Sequence, residues 1–390
     1  MVAMPLLDGV LRLRYVFLVA IALLMYVGGA RHLTGDNDWQ FFTWGSDLLF
    51  GAHYRFVRTT GSFDGSAAGG LHLYGNYAFL QIGPPSLLLA KVLQVGPREG
   101  LYVAGAVTQA LGLGTVYCID RAFGRTGRRS ALAILIGGTL LMVVWGSLTH
   151  FTHLDDALTL AALSAGVWAL RCGRWPLAGA LLGLSAASKP WGVVVLALVL
   201  VPTTWRARAI TASAAAVIVL AFWGPFVVAD RRTLELGEVT LLVSPSSALA
   251  ALGISHISDP SSLRLLQFGL GLAVATAVVL SRRWALAPLA GFSLRLFIEP
   301  SAYQYYATGV VTAALLADVA VVRARVPVLT CLATAGWLAV EVSTTAEAAS
   351  WLRFSTYGAL LIATALLMRF ASPSGPADPL ASPAATSANS

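Results

Sequence analysis

Charge is what this 390-residue chain has least of: Asp, Glu, Lys and Arg make up 11% of it, against 57% hydrophobic residues and a mean hydropathy of +0.75. A water-soluble domain carries roughly a quarter of its residues as charges, so this chain cannot cover itself with polar groups and uses lipid as solvent. Soluble enzymes, secreted scaffolds and disordered proteins are thereby excluded. Cysteine is nearly absent. Cys118, Cys172 and Cys331 stand singly in apolar stretches without CxxC spacing, which indicates packing and neither a zinc site nor a disulfide framework. Lysine is scarcer still: only Lys91 and Lys189 occur, leaving Arg as 24 of the 26 basic residues. With the abundant alanine, that bias fits a GC-rich bacterial genome. The net charge of +8 does not signal nucleic acid, because the basic residues come in pairs between apolar runs and form no single stripe.

Those pairs are topology signals. A spanning helix needs about 20 apolar residues, and the first candidate, Tyr15 to Ala30, follows Arg12 and Arg14 without a small-x-small cleavage site after it. It reads as an uncleaved anchor with a cytoplasmic N-terminus. Further apolar stretches run near Leu101 to Ile119, Ser130 to Leu148, Ala157 to Leu170, Pro176 to Ser188, Trp191 to Val201, Ala209 to Val228, Leu265 to Leu280, Trp284 to Ile298, Tyr306 to Val322, Val326 to Val342 and Trp351 to Met368. The expectation is an all-α polytopic membrane protein of about twelve transmembrane helices. Its Arg clusters and both termini would lie inside, in a bacterial plasma membrane, and residues 1–370 would form one transmembrane domain. Most Asp and Glu then fall outside, and since acidic residues hardly influence insertion, function is one cause for that asymmetry. Residues 78–95 are apolar but contain Gly83, Pro84, Pro85 and Lys91, and read as a re-entrant or juxtamembrane helix. Pro176 to Ser188 and Trp191 to Val201 are too short to cross and belong where protein shields them or a cavity is lined. The Ser-, Pro- and Ala-rich residues 371–390 read as a disordered cytoplasmic tail.

The chemistry concentrates in the segments assigned outside. The first, residues 31–77, interleaves Asp36, Asp38, Asp47, Asp64 and three His with Trp39, Phe41, Phe42, Trp44 and Tyr54. Within it, Asp38 to Phe50 has the pattern of an interfacial amphipathic helix, with Trp39, Phe42 and Leu49 on one face and Gln40, Ser46 and Asp47 largely elsewhere. Asp36 and Asp38 would stand at its N-terminus, where capping is the plain alternative to catalysis. The second segment, Thr149 to Asp156, places His153 three residues before Asp156. The pair can share a helix face and bind a metal or orient a phosphate, or the segment is simply interfacial with Asp155 as an N-cap. No metal is expected. The third, Ser188-Lys189-Pro190-Trp191, puts a lysine between two short helices. There it either binds an anion or snorkels to the interface beside an aromatic-belt Trp191. A further loop, residues 229–264, opens with Asp230-Arg231-Arg232. Arg295 and Glu299 are four apart on a helix that ends before Tyr303, Tyr305 and Tyr306, suited either to a structural ion pair or to phosphate and sugar binding.

The order Asp38-x-x-Phe-Phe-x-x-Gly45-x-x-Leu-Leu-x-Gly51-x-x-Tyr54, then Gly83-Pro84, His153-x-Asp155-Asp156, Arg174-Trp-x-x-Ala-Gly179 and Ala-Ser-Lys189-Pro190-Trp191 resembles the GT-C glycosyltransferases. It is most similar to the actinobacterial polyprenol-phosphate-mannose-dependent alpha-mannosyltransferases. Similarity is clearest from about residue 35 to 195. The chain departs from that pattern in the second carboxylate at Asp36 and in Trp39-Gln40-Phe41-Phe42, where a shorter aliphatic-Tyr pair is commoner.

The resemblance implies an inverting membrane glycosyltransferase acting at the outer face. It would move a sugar, mannose by the same resemblance, from a polyprenyl-phosphate donor to a hydroxyl of a lipid-linked or envelope glycan. Asp38 or Asp36 would be the base. Lys189, Arg231 and Arg295 would hold the donor phosphate, and His153, Asp155, Asp156, Trp191, Tyr303 and Tyr305 would line the substrate site. The lipid-linked donor is a co-substrate, and no cofactor is expected. A nucleotide sugar would need a soluble cytoplasmic domain, for which no loop on that side is long enough. The competing readings are a transporter or flippase of an anionic lipid or sugar, with the short helices as its binding site, and a catalytically silent relative.

Overall fold

The computed structural model describes residues 11, 13–30, 38–51, 57–58, 61–62, 69–78, 80–96, 99–123, 128–235, 243–257 and 260–370. Asp36, residues 236–242 and 258–259 of the 229–264 loop, and the 371–390 tail lie outside the described residues. Helices follow one another in the order α1 (Arg14–Ala30), α2 (Trp39–Leu49), α3 (Leu73–Asn76), α4 (Pro84–Leu93), α5 (Glu99–Phe123), α6 (Arg128–Phe151), α7 (Leu154–Arg171) and α8 (Trp175–Ser188). A 3-10 helix, Pro190–Leu200, precedes α9 (Trp205–Ala229), α10 (Pro260–Leu280), α11 (Ala287–Phe297), α12 (Ala307–Ala317), α13 (Val328–Glu341) and α14 (Ala346–Phe370). The remaining regular structure includes a two-residue antiparallel ladder pairing Val57 with Ser62 and Arg58 with Gly61.

Every apolar stretch read from the sequence is helical, as a segment without water must be to satisfy its own backbone. Among the described residues, six helices are long and apolar enough, by length and composition, to cross a membrane: Glu99–Phe123, Ser130–Phe151, Trp205–Ala229, Ser262–Leu280, Gln304–Val322 and Ala346–Phe370. Their lipid-compatible surface is plain on α9, where Val217, Leu220 and Val228 are exposed, whereas Gln304–Val322 is enclosed by its neighbours.

The two short helices hold one correction. The first is α-helical over 14 residues, but the second, 11 residues long, is a 3-10 helix. At about 2.0 Å rise per residue it reaches about 22 Å, matching the roughly 21 Å of α8 at 1.5 Å per residue. Two helices of unequal residue count thus have equal reach. They meet at Lys189, whose extended backbone separates them (φ −147°, ψ 132°).

Among the described residues, two apolar cores form. The larger lies among α1, α5 to α8 and α10 to α14, around Trp145, Leu160, Val194, Leu289 and Val311. The smaller joins Trp39, Phe42 and Leu48 of α2 to Leu73, Tyr74, Leu80, Ile82 and Leu87, and reaches Leu154 and Phe226. That second core seats the first loop on the ends of α7 and α9. The sequence pattern of α2 is partly corrected here: Ser46, expected on the polar face, is fully buried and receives a hydrogen bond from Gln94 at 2.9 Å.

The segment at Gly83 locks the smaller core to the helix break. Its N–H donates to the Ser188 carbonyl at 3.0 Å, as does the Ser86 hydroxyl at 3.2 Å. A Cβ on Gly83 would lie 1.9 Å from the Ala187 carbonyl oxygen, so only glycine allows this approach. Gly83→Ala is expected to cost about 1–3 kcal/mol, read as a lower thermal unfolding midpoint of the detergent-solubilised protein. Gly28→Ala serves as the control, because a Cβ there meets nothing within 4 Å.

Candidate functional site

The α6–α7 corner is built tightly. Thr152 adopts a left-handed conformation (φ 57°), which costs a non-glycine residue about 1–2 kcal/mol. The His153 N–H returns to the Leu148 carbonyl at 2.8 Å, closing the helix end. The Phe151 carbonyl accepts from the Asp38 N–H at 3.0 Å, which ties the start of α2 to this corner. Two segments more than a hundred residues apart in sequence thereby place their polar side chains together.

Asp38 precedes α2, yet its side chain makes no cap hydrogen bond. Its Oδ2 instead lies 2.6 Å from His153 Nε2, and its carboxylate is about a third exposed. The capping alternative for Asp38 therefore gives way to pairing with His153. Behind the imidazole, Nδ1 lies 3.3 Å from Asp156 and 3.6 Å from Asp155. Asp155 is not the N-cap of α7; it sits in the first turn, fully buried, with His153 in the cap position. Lys189 Nζ lies 2.5 Å from Asp155 Oδ2 and 3.1 Å from Asp156 Oδ2, and Trp191 Nε1 donates to Asp156 Oδ1 at 2.9 Å. The snorkelling alternative for Lys189 also gives way: its ammonium turns inward to two carboxylates and is 12% exposed.

His153 is buried in the turn between helices. Burial opposes its charged form, but Asp155, Asp156 and Asp38 outweigh it and raise the imidazole pKa to about 10. The Tyr305 ring stacks on His153 with centroids 3.5 Å apart and closes the other face of the imidazole. The ligand atoms of His153, Asp155 and Asp156 lie within 4.8 Å of one another, close enough to hold a metal ion. The Lys189 ammonium and the charged His153 together already offset that carboxylate pair, so a divalent ion binding there would displace them.

A second charged group faces the first across the site. Glu299, 1% exposed, receives Arg264 at 2.8 Å and Arg295 at 3.0 Å. Arg295 also lies over the rings of Tyr306 (4.8 Å) and Trp191 (5.4 Å), so Trp191 joins the cationic group to the acidic one. Between them lies a cavity of about 260 Å³. Asp38, His153, Asp155, Lys189, Trp191, Arg295, Tyr303 and Tyr305 line it, as the sequence reading grouped them.

Two expected residues fall elsewhere. Asp156 stands behind Lys189 and Trp191 and does not line this cavity. Arg231 is exposed in a 3-10 turn, Arg231–Glu235, away from the site. Its neighbour Arg232 is the one engaged there, by Asp230 (2.7 Å) and Asn76 (2.9 Å). Arg264 was not expected in the site. Helix α10 begins at Pro260, five residues before the apolar run at Leu265, so Arg264 is helical and 8% exposed where a loop end was expected. The signal that could have found it is Arg264 three residues before Gln267, whose side chains meet at 3.0 Å. Leu80, Gln81 and Ile82 also line the cavity, brought there by the Gly83 contact.

Compared with known proteins, the chain matches no family model, no curated protein and no solved structure.

Removing one partner of a buried ion cluster leaves uncompensated charge, so Lys189→Met is expected to destabilise by about 3–5 kcal/mol, with part of the loss restored by Asp155→Asn in the same chain. Thermal unfolding of the three proteins tests this. The contribution of charged His153 is full below its unfolded pKa of about 6.5 and is lost as pH rises through 10. The stability gap between wild type and His153→Gln should therefore narrow from neutral to alkaline pH.

Proposed function

We propose that the protein is a polytopic membrane glycosyltransferase that takes a sugar, mannose by its resemblance, from a polyprenyl-phosphate donor. The acceptor is a hydroxyl of a lipid-linked or envelope glycan. The observation that carries this reading is one cavity with a partly exposed carboxylate, Asp38, on one wall and two guanidiniums, Arg264 and Arg295, on the other. In this reading the helical bundle spans the bacterial plasma membrane with both termini cytoplasmic, the two short helices at Lys189 lie shielded within it, and the cavity opens at the outer face.

The acceptor hydroxyl is a poor nucleophile until its proton leaves. Asp38 accepts that proton as the acceptor oxygen attacks the anomeric carbon. The bond from that carbon to the phosphate oxygen breaks, its electron pair departs with the lipid phosphate, and a single displacement inverts the anomeric centre. The charge growing on the phosphate is met by Arg295 and Arg264, in a site where water does not screen it. Lys189 holds Asp155 and Asp156 instead, and through them His153, which positions Asp38. Tyr303 and Tyr305, stacked with ring centroids 5.4 Å apart, give a flat wall suited to a sugar face.

Membranes containing the protein are expected to transfer radiolabelled mannose from polyprenyl-phosphate mannose to supplied lipid and glycan acceptors. Asp38→Asn should lower the rate by about 10²-fold or more at matched expression, with Asp36→Asn far less affected. Loss confined to Asp36→Asn would move the base by two residues. No transfer from any polyprenyl-phosphate sugar would favour a transporter instead.

A further inference from the structure

A second cavity adjoins the first and is far smaller, about 10 Å³, the room taken by roughly one water. Asp156, in the first turn of α7, and Arg295, in the last turn of α11, both line it, with Tyr305, Tyr306 and Gly309. Trp191 touches both charged residues: its Nε1 donates to Asp156 Oδ1 at 2.9 Å, and the Arg295 guanidinium lies 5.4 Å from its ring centre. The two do not pair with one another. Arg295 pairs with Glu299 at 3.0 Å, and Asp156 with Lys189 at 3.1 Å and His153 at 3.3 Å.

Each of the two has its charge offset and its hydrogen bonding incomplete. Asp156 is 4% exposed and Arg295 5%. Lys189 and His153 lie within ion-pair distance of Asp156 Oδ2, yet neither aims an N–H along a hydrogen-bond line, and Oδ2 is buried without a donor among the described residues. Arg295 Nε is buried without an acceptor in the same way. Such atoms are costly unless something fills them. An ion would upset charges that are already offset, and an apolar group would leave both atoms dry. A water fits the volume, accepts from an N–H and donates to a carboxylate oxygen.

We propose that this small cavity binds one structural water, which accepts from Arg295 Nε and donates to Asp156 Oδ2. The site is independent of what the larger cavity takes. Through it the acidic and cationic groups become one hydrogen-bonded network, beside the contact through Trp191, and the two walls of the larger cavity keep a fixed separation. Asp156, which does not line the larger cavity, thereby holds Arg295, which does. Gly309, the third residue of α12, makes the water removable. A Cβ there would meet Phe292, Trp191 and Leu160 at 3.6, 3.8 and 3.9 Å, ordinary contact distances, and all three residues line the small cavity. An added methyl is tolerated by its neighbours and takes the water's room.

Thermal unfolding of the detergent-solubilised full chain tests this, because a dry cavity and a hydrated one give opposite signs. Alanine is the better helix former, so with a dry cavity Gly309→Ala raises the unfolding midpoint. With the water bound, Gly309→Ala is expected to lower it by roughly 2–4 °C, since Arg295 Nε and Asp156 Oδ2 are left unpaired. Gly309→Ser, whose hydroxyl can stand in for the water, should recover much of that loss, although serine is the poorer helix former. Gly358, inside α14, is the control: its Cβ would meet Phe297 at 3.7 Å, and alanine there should match or exceed serine. A midpoint for Gly309→Ala at or above wild type overturns the proposal, as does Gly309→Ser at or below Gly309→Ala. Serine exceeding alanine at Gly358 as well also overturns it, by assigning the effect to a serine bond with its own helix. Should the Gly309 variants fail to fold, a wild-type density map fine enough to show ordered waters decides. A peak within hydrogen-bond distance of both atoms is expected, and a cavity without one overturns the proposal.

Discussion

Burying Asp155 and Asp156 at the start of a helix is tolerable only because Lys189 comes to them, and much of the site follows from that pairing. Two carboxylates in a low-dielectric interior repel one another and lose their hydration, so an ammonium within hydrogen-bond distance of both is a condition of their burial. Lys189 can reach them because the chain is extended there, between an α-helix and a 3-10 helix. The resulting cluster then fixes His153 from behind, and His153 holds Asp38 at the cavity. Strain at Thr152 and the close approach at Gly83 are the local concessions that let the three segments meet.

The site keeps its charges in two groups, joined through one indole. Trp191 donates to Asp156 and lies under Arg295, so its ring separates the acidic wall from the cationic one while contacting both. This separation matters for chemistry. An anion seat must keep donors available, which a free carboxylate beside it would consume. With Lys189 held by Asp155 and Asp156, and both arginines by Glu299, Asp38 stays about a third exposed at the cavity although His153 holds it.

Much of this was legible before any coordinates. Composition alone required a membrane protein, and the apolar stretches gave the helices and most of their bounds. The i,i+3 spacing of His153 and Asp156 and the i,i+4 spacing of Arg295 and Glu299 predicted contacts that form at 3.3 and 3.0 Å, each across a helix end, since His153 precedes α7 and Glu299 follows α11. Arg264 was hidden because an arginine just ahead of an apolar run looks like the end of a loop. Only packing against Glu299 makes it worthwhile to extend the helix back over it. Arg231 misled for the opposite reason: the sequence offers two adjacent arginines and no means to tell that Asp230 engages the second.

Residue type and helical period therefore determined the solvent, the helices and the pairs three and four residues apart at their ends, because these depend on interactions a few residues apart. Contacts between Asp38 and His153, Lys189 and Asp155, and Arg264 and Glu299 span many residues, and no local pattern encodes them. Tertiary structure alone decided which carboxylate remained partly free and which cations were already spent. A charge's availability depends on what it is packed against, and that is set by the whole bundle rather than by its neighbours in sequence.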